Sequence, residues 1–414
     1  MKALPATVKN TGKSAGKAVA GALSLPATPV SGRKLPVVRK KKKVAEQYQV
    51  ELVFMTLYDI GRSIDLSLAA SLLPGIPGMK VVRRRDTPES LLMPKPLCVD
   101  LRTGPQKAFS DEAVEGLSVA ARIYDEGVLS IIMRLRVMAN LEDLHGLAER
   151  RLSSAVADLE SYSTERFNAV VEILKPAIDR DHTWLQAEQE SYTAFCFSDV
   201  GMSPVDFLTK NAQDLTTLLN GDPYGSPLHD SQIRKTLANP FSYNSTDLAL
   251  FDMDRALLID PDRDYEDLLL ICELANYQFL ELRVLDHLLD HWLDEAEDDI
   301  RLFYSKERSR RKKRSSLQRK FATLQGLRLD ALFILENIEN SSKIIGDYFL
   351  GTLYEHLCGI FNTPGWTRSV ERRLDALQHV YEIVKAEKNE RTMLLLEIIF
   401  IVVCIIPIIQ FAFG

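Results

Sequence analysis

Apolar and polar positions alternate differently along successive stretches of the chain, and the changes mark its elements. Val50 to Leu57 predicts a strand and Asp65 to Leu73 a short helix, with a second short strand at Leu97 to Leu101. Val119 to Tyr124 and Val128 to Arg136 predict a hairpin about Asp125-Glu126-Gly127, where the glycine supplies a positive φ. A long helix is expected from Leu141 to about Leu174, ending before Pro176. The order then recurs. Tyr192 to Phe197 predicts a strand and Pro204 to Leu219 a helix. A loop with Gly221, Pro223, Gly225 and Pro227 leads to a hairpin of Leu248 to Phe251 and Ala256 to Ile259. A second long helix runs from Asp264 to about Phe303. The expectation is an α+β fold built from a duplicated strand-helix-hairpin-helix unit, with helices on one face of an antiparallel sheet.

The C-terminal part predicts long helices. Leu268, Cys272, Ala275, Phe279 and Leu282 fall at spacings of four and three, and Leu285, Leu289, Trp292 and Ala296 continue a neighbouring stripe. A helix over Phe321 to Leu357 repeats the spacing at Ala331, Leu335, Ile338, Ile345 and Phe349. Asn362-Thr363-Pro364-Gly365 breaks the chain. The last helix begins near Thr367, with Val370, Leu374, Leu377, Tyr381 and Val384 at a and d spacing. Nothing breaks it before Met393 to Phe413, 21 residues with one charge, Glu397. That run is long enough to cross a hydrocarbon core, so a single C-terminal transmembrane helix and a tail-anchored protein are expected. Pro407 is expected to kink or end the helix near the far surface, and Glu397 to snorkel to the interface or hydrogen-bond within an oligomer. Lys385, Lys388 and Arg391 precede the run. They put the N-terminal bulk in the cytoplasm of a bacterium, or in the matrix for a mitochondrial inner membrane.

The expected organisation is therefore a disordered basic tail over 1–45, an α/β domain over 46–262, a long-helix bundle or coiled coil over 263–392, and the membrane helix over 393–413. Charge sharpens the first of these. The formal net charge is −6, but residues 1–45 hold eleven Lys and Arg and no acid. The rest of the chain carries 40 basic against 57 acidic side chains. The tail ends in Arg39, Lys40, Lys41, Lys42 and Lys43 and has no aromatic residue, so it is too polar to order by itself. Five scattered cysteines, none at C-x-x-C spacing, exclude a zinc ribbon and point to a reducing compartment.

Candidate chemistry is sparse. The chain has no G-x-x-x-x-G-K-[ST], no G-x-G-x-x-G after a strand, no G-x-S-x-G and no H-E-x-x-H. His287 and His291 stand four apart on one helical face, with Asp290 and Asp294 beside them at the same spacing. Imidazole and carboxylate at that spacing can chelate a divalent metal, though Glu295, Glu297, Asp298 and Asp299 fit a solvated acidic face as well. Lys306 to Lys320 holds nine basic residues, among them Arg310, Arg311, Lys312, Lys313 and Arg314. This run is either a solvated linker or, like the tail, a grip for RNA or anionic lipid phosphates. It has no interleaved aromatic residue for reading bases.

Ala275-Asn276-Tyr277-Gln278, Leu280-Glu281-Leu282-Arg283 with Asp286, and Lys343-Ile344-Ile345-Gly346-Asp347-Tyr348 resemble segments of the required-for-meiotic-nuclear-division family. So do Trp366, Leu374, Leu377, Tyr381-Glu382, Asn389, Arg391 and Leu396-Glu397-Ile398-Ile399. The resemblance spans about Asp247 onward, with fainter echoes at Tyr192 to Phe197 and in the first strand and helix. It implies an α/β N-terminal part, a helical C-terminal part and a terminal membrane helix. It further implies large homo-oligomers at an inner membrane that support organelle translation, with no enzyme activity. Members often carry a second intramembrane acid ten positions after the glutamate matching Glu397, where this chain has Pro407.

The function expected from the sequence is a non-enzymatic, tail-anchored scaffold without cofactor or small-molecule substrate. Its expected partners are the membrane, further copies of itself, and ribosomes, RNA or anionic lipid. The alternative is an oligomeric ion channel or transporter of CorA-like long-helix architecture. Against it, Gly-Met is followed by Lys80 or Ser203 and never by Asn.

Overall fold

Strand β1 (Tyr48–Asp59) is apolar on both faces, which fits only the interior of a sheet covered on both sides. Val50, Leu52 and Phe54 point one way, and Val53, Met55 and Leu57 the other. A computed structural model describes residues 46–73, 79–82, 96–101, 114–148, 159–179, 188–304, 326, 328–329, 331–336 and 348–413. It places β1 inside an eight-stranded sheet. The other strands are β3 (Met79–Val82), β4 (Leu97–Leu101), β5 (Val114–Ile123), β6 (Val128–Ala139), β8 (Gln189–Asp199), β9 (Leu248–Phe251) and β10 (Arg255–Ile259). Their order is β3-β4-β5-β6-β1-β8-β10-β9. Two short strands, β2 (Ser63–Ile64) and β7 (Ile178–Asp179), pair separately.

The expected hairpin is present. Gly127 has φ +98°, and a Cβ there would lie 1.7 Å from the Gly61 carbonyl oxygen. Only glycine fits that turn against the end of β1. The first helix, α1 (Leu66–Leu72), is capped by Asp65, which accepts from the amides of Ser67 at 2.9 Å and Leu68 at 3.0 Å.

One face of the sheet is covered by α1, α2 (Leu141–Ala148), α3 (Leu159–Leu174), α4 (Pro204–Lys210) and α5 (Ala212–Asn220). A further short helix, α6 (Asp230–Thr236), buries none of its residues. The opposite face is covered by the first half of α7 (Glu266–Tyr304) and by α8 (Tyr348–Ile360). Helices on a single face were expected; they lie on both. The central strands carry apolar side chains at odd and even positions alike, so each face needs its own cover.

The sheet is also mixed rather than antiparallel, because β8 and β10 pair in parallel. This bears on the expected duplication. The order strand, helix, hairpin, helix does recur, but β1 pairs antiparallel with β6, whereas β8 pairs parallel with β10. The two halves therefore do not superpose. The segment between β1 and the first hairpin carries the chain to the other end of the sheet. The segment holding α4 to α6 brings it back at the end it left, which reverses the sense of the second hairpin.

Long helix α7 belongs to two cores. Up to Val284 it packs on the sheet. From Leu282 to Ala296 it packs instead on Ala331 and on Val370, Leu374, Leu377 and Tyr381 of the last helix, α9 (Thr363–Phe413). The two helices run in the same direction: Phe279 meets Trp366 at 6.0 Å, and Asp286 meets Arg373 at 3.3 Å. The change at 262/263 is thus a change of layer, with α7 shared by the sheet and the bundle. The single helix expected over Leu141 to Leu174 is described as α2 and α3, and residues 149–158 lie outside the described set.

Helix α9 starts four residues earlier than expected, because Asn362 takes φ +53° and ends the preceding segment. It also continues past Pro407 to Phe413, whereas a kink or an end was expected there. Losing one amide donor does not stop a helix this long. Its 51 residues span about 76 Å. Every residue from Met393 to Ile406 is exposed. Among the described residues no helix is long and apolar enough to cross a membrane.

Candidate functional site

The face of the sheet beneath α7 differs from the opposite one in carrying charge. The row Leu269, Glu273, Tyr277, Glu281 runs down one side of α7 at four-residue spacing, and all four residues are buried. Glu273 forms an ion pair with Arg122 of β5, and both side chains are almost wholly removed from water. One turn on, Tyr277 stacks on Tyr124, ring centres 5.0 Å apart. One more turn brings Glu281 to the end of β1.

Three carboxyls meet there. Asp59 is the last residue of β1 and is 1% exposed; its Oδ1 accepts from the Gly61 amide at 3.2 Å. Glu126 sits in the β5–β6 turn with Oε2 buried and without a hydrogen-bond partner. Glu281 is 6% exposed. Burial is the main force on Glu281, and the neighbouring charges are two more carboxyls, Asp59 and Glu126; together they hold its proton well above the usual carboxylate range. Glu126 is pushed up to about 8, first by burial and then by Asp125. Burial also raises Tyr124 to about 12 and Tyr277 well above the ordinary phenol range.

Two nearby arginines, Arg122 and Arg283, engage Glu273 and Glu190. Arg283 pairs with Glu190 of β8 and stands 3.5 Å from Glu188. Asp59 adjoins the same strand, since its amide donates to the Glu188 carbonyl at 3.0 Å. Further along α7, Gln278 holds the Tyr354 hydroxyl of α8, and Arg373 of α9 donates to the Asp286 carbonyl at 3.0 Å. The polar groups of α7 thus fix it to the sheet, to α8 and to α9 in turn.

The residues picked out as metal ligands lie one turn beyond the cluster and do not converge. His287 pairs through Nδ1 with Glu188, Asp290 pairs with Arg373, and His291 stands 3.5 Å from Glu295. Asp294 is exposed. Successive positions on α7 face different neighbours, the sheet on one side and α9 on the other. Among the described residues no three His, Cys, Asp or Glu side chains are grouped to hold a metal. Arg39, Lys40, Lys41, Lys42 and Lys43 lie outside the described residues, as do Arg310, Arg311, Lys312, Lys313 and Arg314. Glu397 is exposed on α9.

Sequence reasoning picked the right helix but missed Asp59, Arg122, Glu126, Glu188 and Glu273. A signal for part of the site was present: Glu273 and Glu281 interrupt an otherwise apolar four-residue row, and Arg122 stands in the strand Ser118-Val119-Ala120-Ala121-Arg122-Ile123. Acids and a base at inward positions imply burial in pairs.

A mixed α+β fold, an eight-stranded sheet covered by helices on both faces, is the class of protein this chain represents. The chain belongs to the family described as "Uncharacterized protein MJ0711, N-terminal domain", whose profile matches residues 49–266. That span holds the sheet from the second residue of β1 onward and the helices of its apolar face, and it stops as α7 begins. The chain is similar to "Uncharacterized protein MJ0711" of Methanocaldococcus jannaschii, 24% identical over 295 residues, 71% of this chain and 82% of that one. No solved structure matches.

Proposed function

We propose that this protein is a non-enzymatic scaffold tethered to a membrane through α9, assembled as a homo-oligomer, and holding ribosomes, RNA or anionic lipid near the membrane surface. The observation that carries the reading is a contrast within α9. Leu374 and Leu377 are 7% and 0% exposed, whereas Leu396 and Phe400 are 61% and 69% exposed. Apolar surface left in water costs about 25 cal/mol per Å², so a helix apolar on every side needs a cover. In sequence the run continues to Phe413 and is long enough for lipid to be that cover. Glu397 lies one turn inside, within reach of the interface by snorkelling. The resemblance to the required-for-meiotic-nuclear-division family supports the same reading and adds membrane-localised translation as the setting.

Alkaline carbonate extraction of membranes carrying the full-length chain tests the tether. The chain is expected to stay with the membrane, and a variant lacking residues 393–413 to be released. Full-length protein in the aqueous fraction overturns the reading. Basic contacts to phosphate are expected to weaken steeply with salt, and a flat dependence removes them.

A second reading is an oligomeric channel or transporter. It is favoured by α7 and α9 lying side by side in one direction and leading to an apolar end that bears Glu397. Magnesium flux into liposomes separates the two readings.

A further inference from the structure

A cleft of about 210 Å³, partly open to solvent, lies beside the segment that leads into α7. Across the sheet, Glu51 of β1 stands opposite Arg136 of β6 on one side and Cys196 of β8 on the other, and all three line the cleft. Arg263 and Tyr265, from the loop between β10 and α7, complete it. The acceptors in the cleft are taken. Glu51 accepts from Arg136 Nε at 3.2 Å through Oε1 and from the Tyr265 hydroxyl through Oε2. Gln49, also in the cleft, accepts from the Ser198 hydroxyl at 3.5 Å. Beside it, both carboxylate oxygens of Glu266 hold Arg134.

The donors are not taken. Arg136 spends Nε on Glu51 and has a side chain 53% exposed. Among the described residues no carboxylate pairs with the Arg263 side chain. Asp260, three residues earlier, uses Oδ1 on the Asp262 amide at 2.8 Å and Oδ2 on the Asp264 amide at 3.1 Å. Its carbonyl accepts from the Arg263 amide, also at 3.1 Å. Arg263 takes φ +60°, which disfavours a β-carbon, and these three bonds to Asp260 hold the loop in that shape. The fold thus fixes a second guanidinium at the cleft without giving it an acid.

We propose that this cleft binds the carboxylate group of a small molecule between the guanidinium groups of Arg136 and Arg263. Two arginines against the single acid Glu51 leave one positive charge over. Burial pushes up the Cys196 thiol and the Tyr265 hydroxyl, so neither adds negative charge. A carboxylate carries the one charge required and matches the planar fork of a guanidinium. A phosphate dianion brings two charges, beside the exposed Asp262 and Asp264. The cleft is smaller than the ~300 Å³ at which drug-sized pockets begin, so it suits a carboxylate on a short stem. The inference does not depend on where α9 ends.

The test is urea unfolding of the full-length chain in detergent micelles, with sodium acetate replacing sodium chloride at constant ionic strength up to about 100 mM. The midpoint is expected to rise with acetate and to saturate. Arg263→Gln and Arg136→Gln are each expected to weaken the apparent acetate affinity about ten-fold or more, since each removes charge-assisted hydrogen bonds. Arg263→Lys keeps the charge without the fork and is expected to fall between Arg263→Gln and the wild type. Arg136→Gln also breaks the pair with Glu51, whereas the Arg263 side chain holds nothing else in place, so the Arg263 variants remain decisive if the other fails to fold. Arg301→Gln, which removes an exposed cation paired with Glu297 at the far end of α7, is expected to change nothing. A midpoint that ignores acetate overturns the proposal. So does a rise that never saturates and is equal in the Arg263 variants and the wild type, which is a general salt effect. Inorganic phosphate, dianionic at about pH 8, acting at lower concentration than acetate overturns the assignment to a carboxylate.

Discussion

The two faces of the sheet solve the same burial problem in different ways. On the face under α1 to α5, Leu52, Phe54, Leu129, Met133, Phe195 and Leu257 pack with no charged residue among them. On the face under α7, Arg122, Glu273, Asp59 and Glu281 are buried among Tyr124, Tyr277 and Ile132. The first face gains its stability from area and shape, which tolerate a change of solvent. The second gains specificity of position, because each charge must meet its partner, and it becomes sensitive to pH and to the loss of any one member.

Replacing a residue on each face breaks this comparison most directly. Arg122→Ala leaves Glu273 buried without its cation and is expected to cost about 3–5 kcal/mol, read from the urea midpoint at constant m. Replacing both partners by leucine is expected to recover most of that loss, since the charge and its countercharge leave together. Phe195→Ala on the other face is expected to cost a similar amount, about 3–5 kcal/mol, but equally at acid and alkaline pH. A pH-dependent cost for Phe195→Ala, or a pH-independent one for Glu126→Gln, would erase the distinction. Asp65→Ala removes the acceptor for two amides at the start of α1 and is expected to cost about 1 kcal/mol. The smallest effect is expected at His287, whose side chain is more than half exposed beside Glu188. His287→Ala should change stability by no more than about 1 kcal/mol and leave metal content unaltered. A loss of bound zinc or manganese from that variant would restore His287 as a ligand.

Much of this was legible in the chain's own pattern. The hairpin at Gly127, the short helix after Asp65, the strands β1, β4, β8, β9 and β10, and the long helix α7 all follow from local spacing and turn chemistry. The both-sided cover of the sheet was legible in principle, since Val50 to Leu57 is apolar at odd and even positions, but assigning helices to one face overrode that signal. The acid and histidine run at His287 drew attention to α7 by its density of ligand-type side chains. The partners that decide its role are far away in the chain, Glu188 by 99 residues from His287 and Arg373 by 87 from Asp286, and no local pattern names them. The cluster of Asp59, Glu126 and Glu281 was missed for the same reason.

The sequence by itself determined most of the longer strands and helices, because those depend on periodicity and on the φ demands of a few glycines and prolines. It also determined that Met393 to Phe413 is an apolar run of 21 residues with one charge, Glu397. Only the tertiary structure decided the order and sense of the strands, the parallel pairing that separates the two halves, and which charges share a buried space. Those outcomes depend on long-range pairing and on the removal of water from groups far apart in the chain, and neither leaves a mark in the residues next to them.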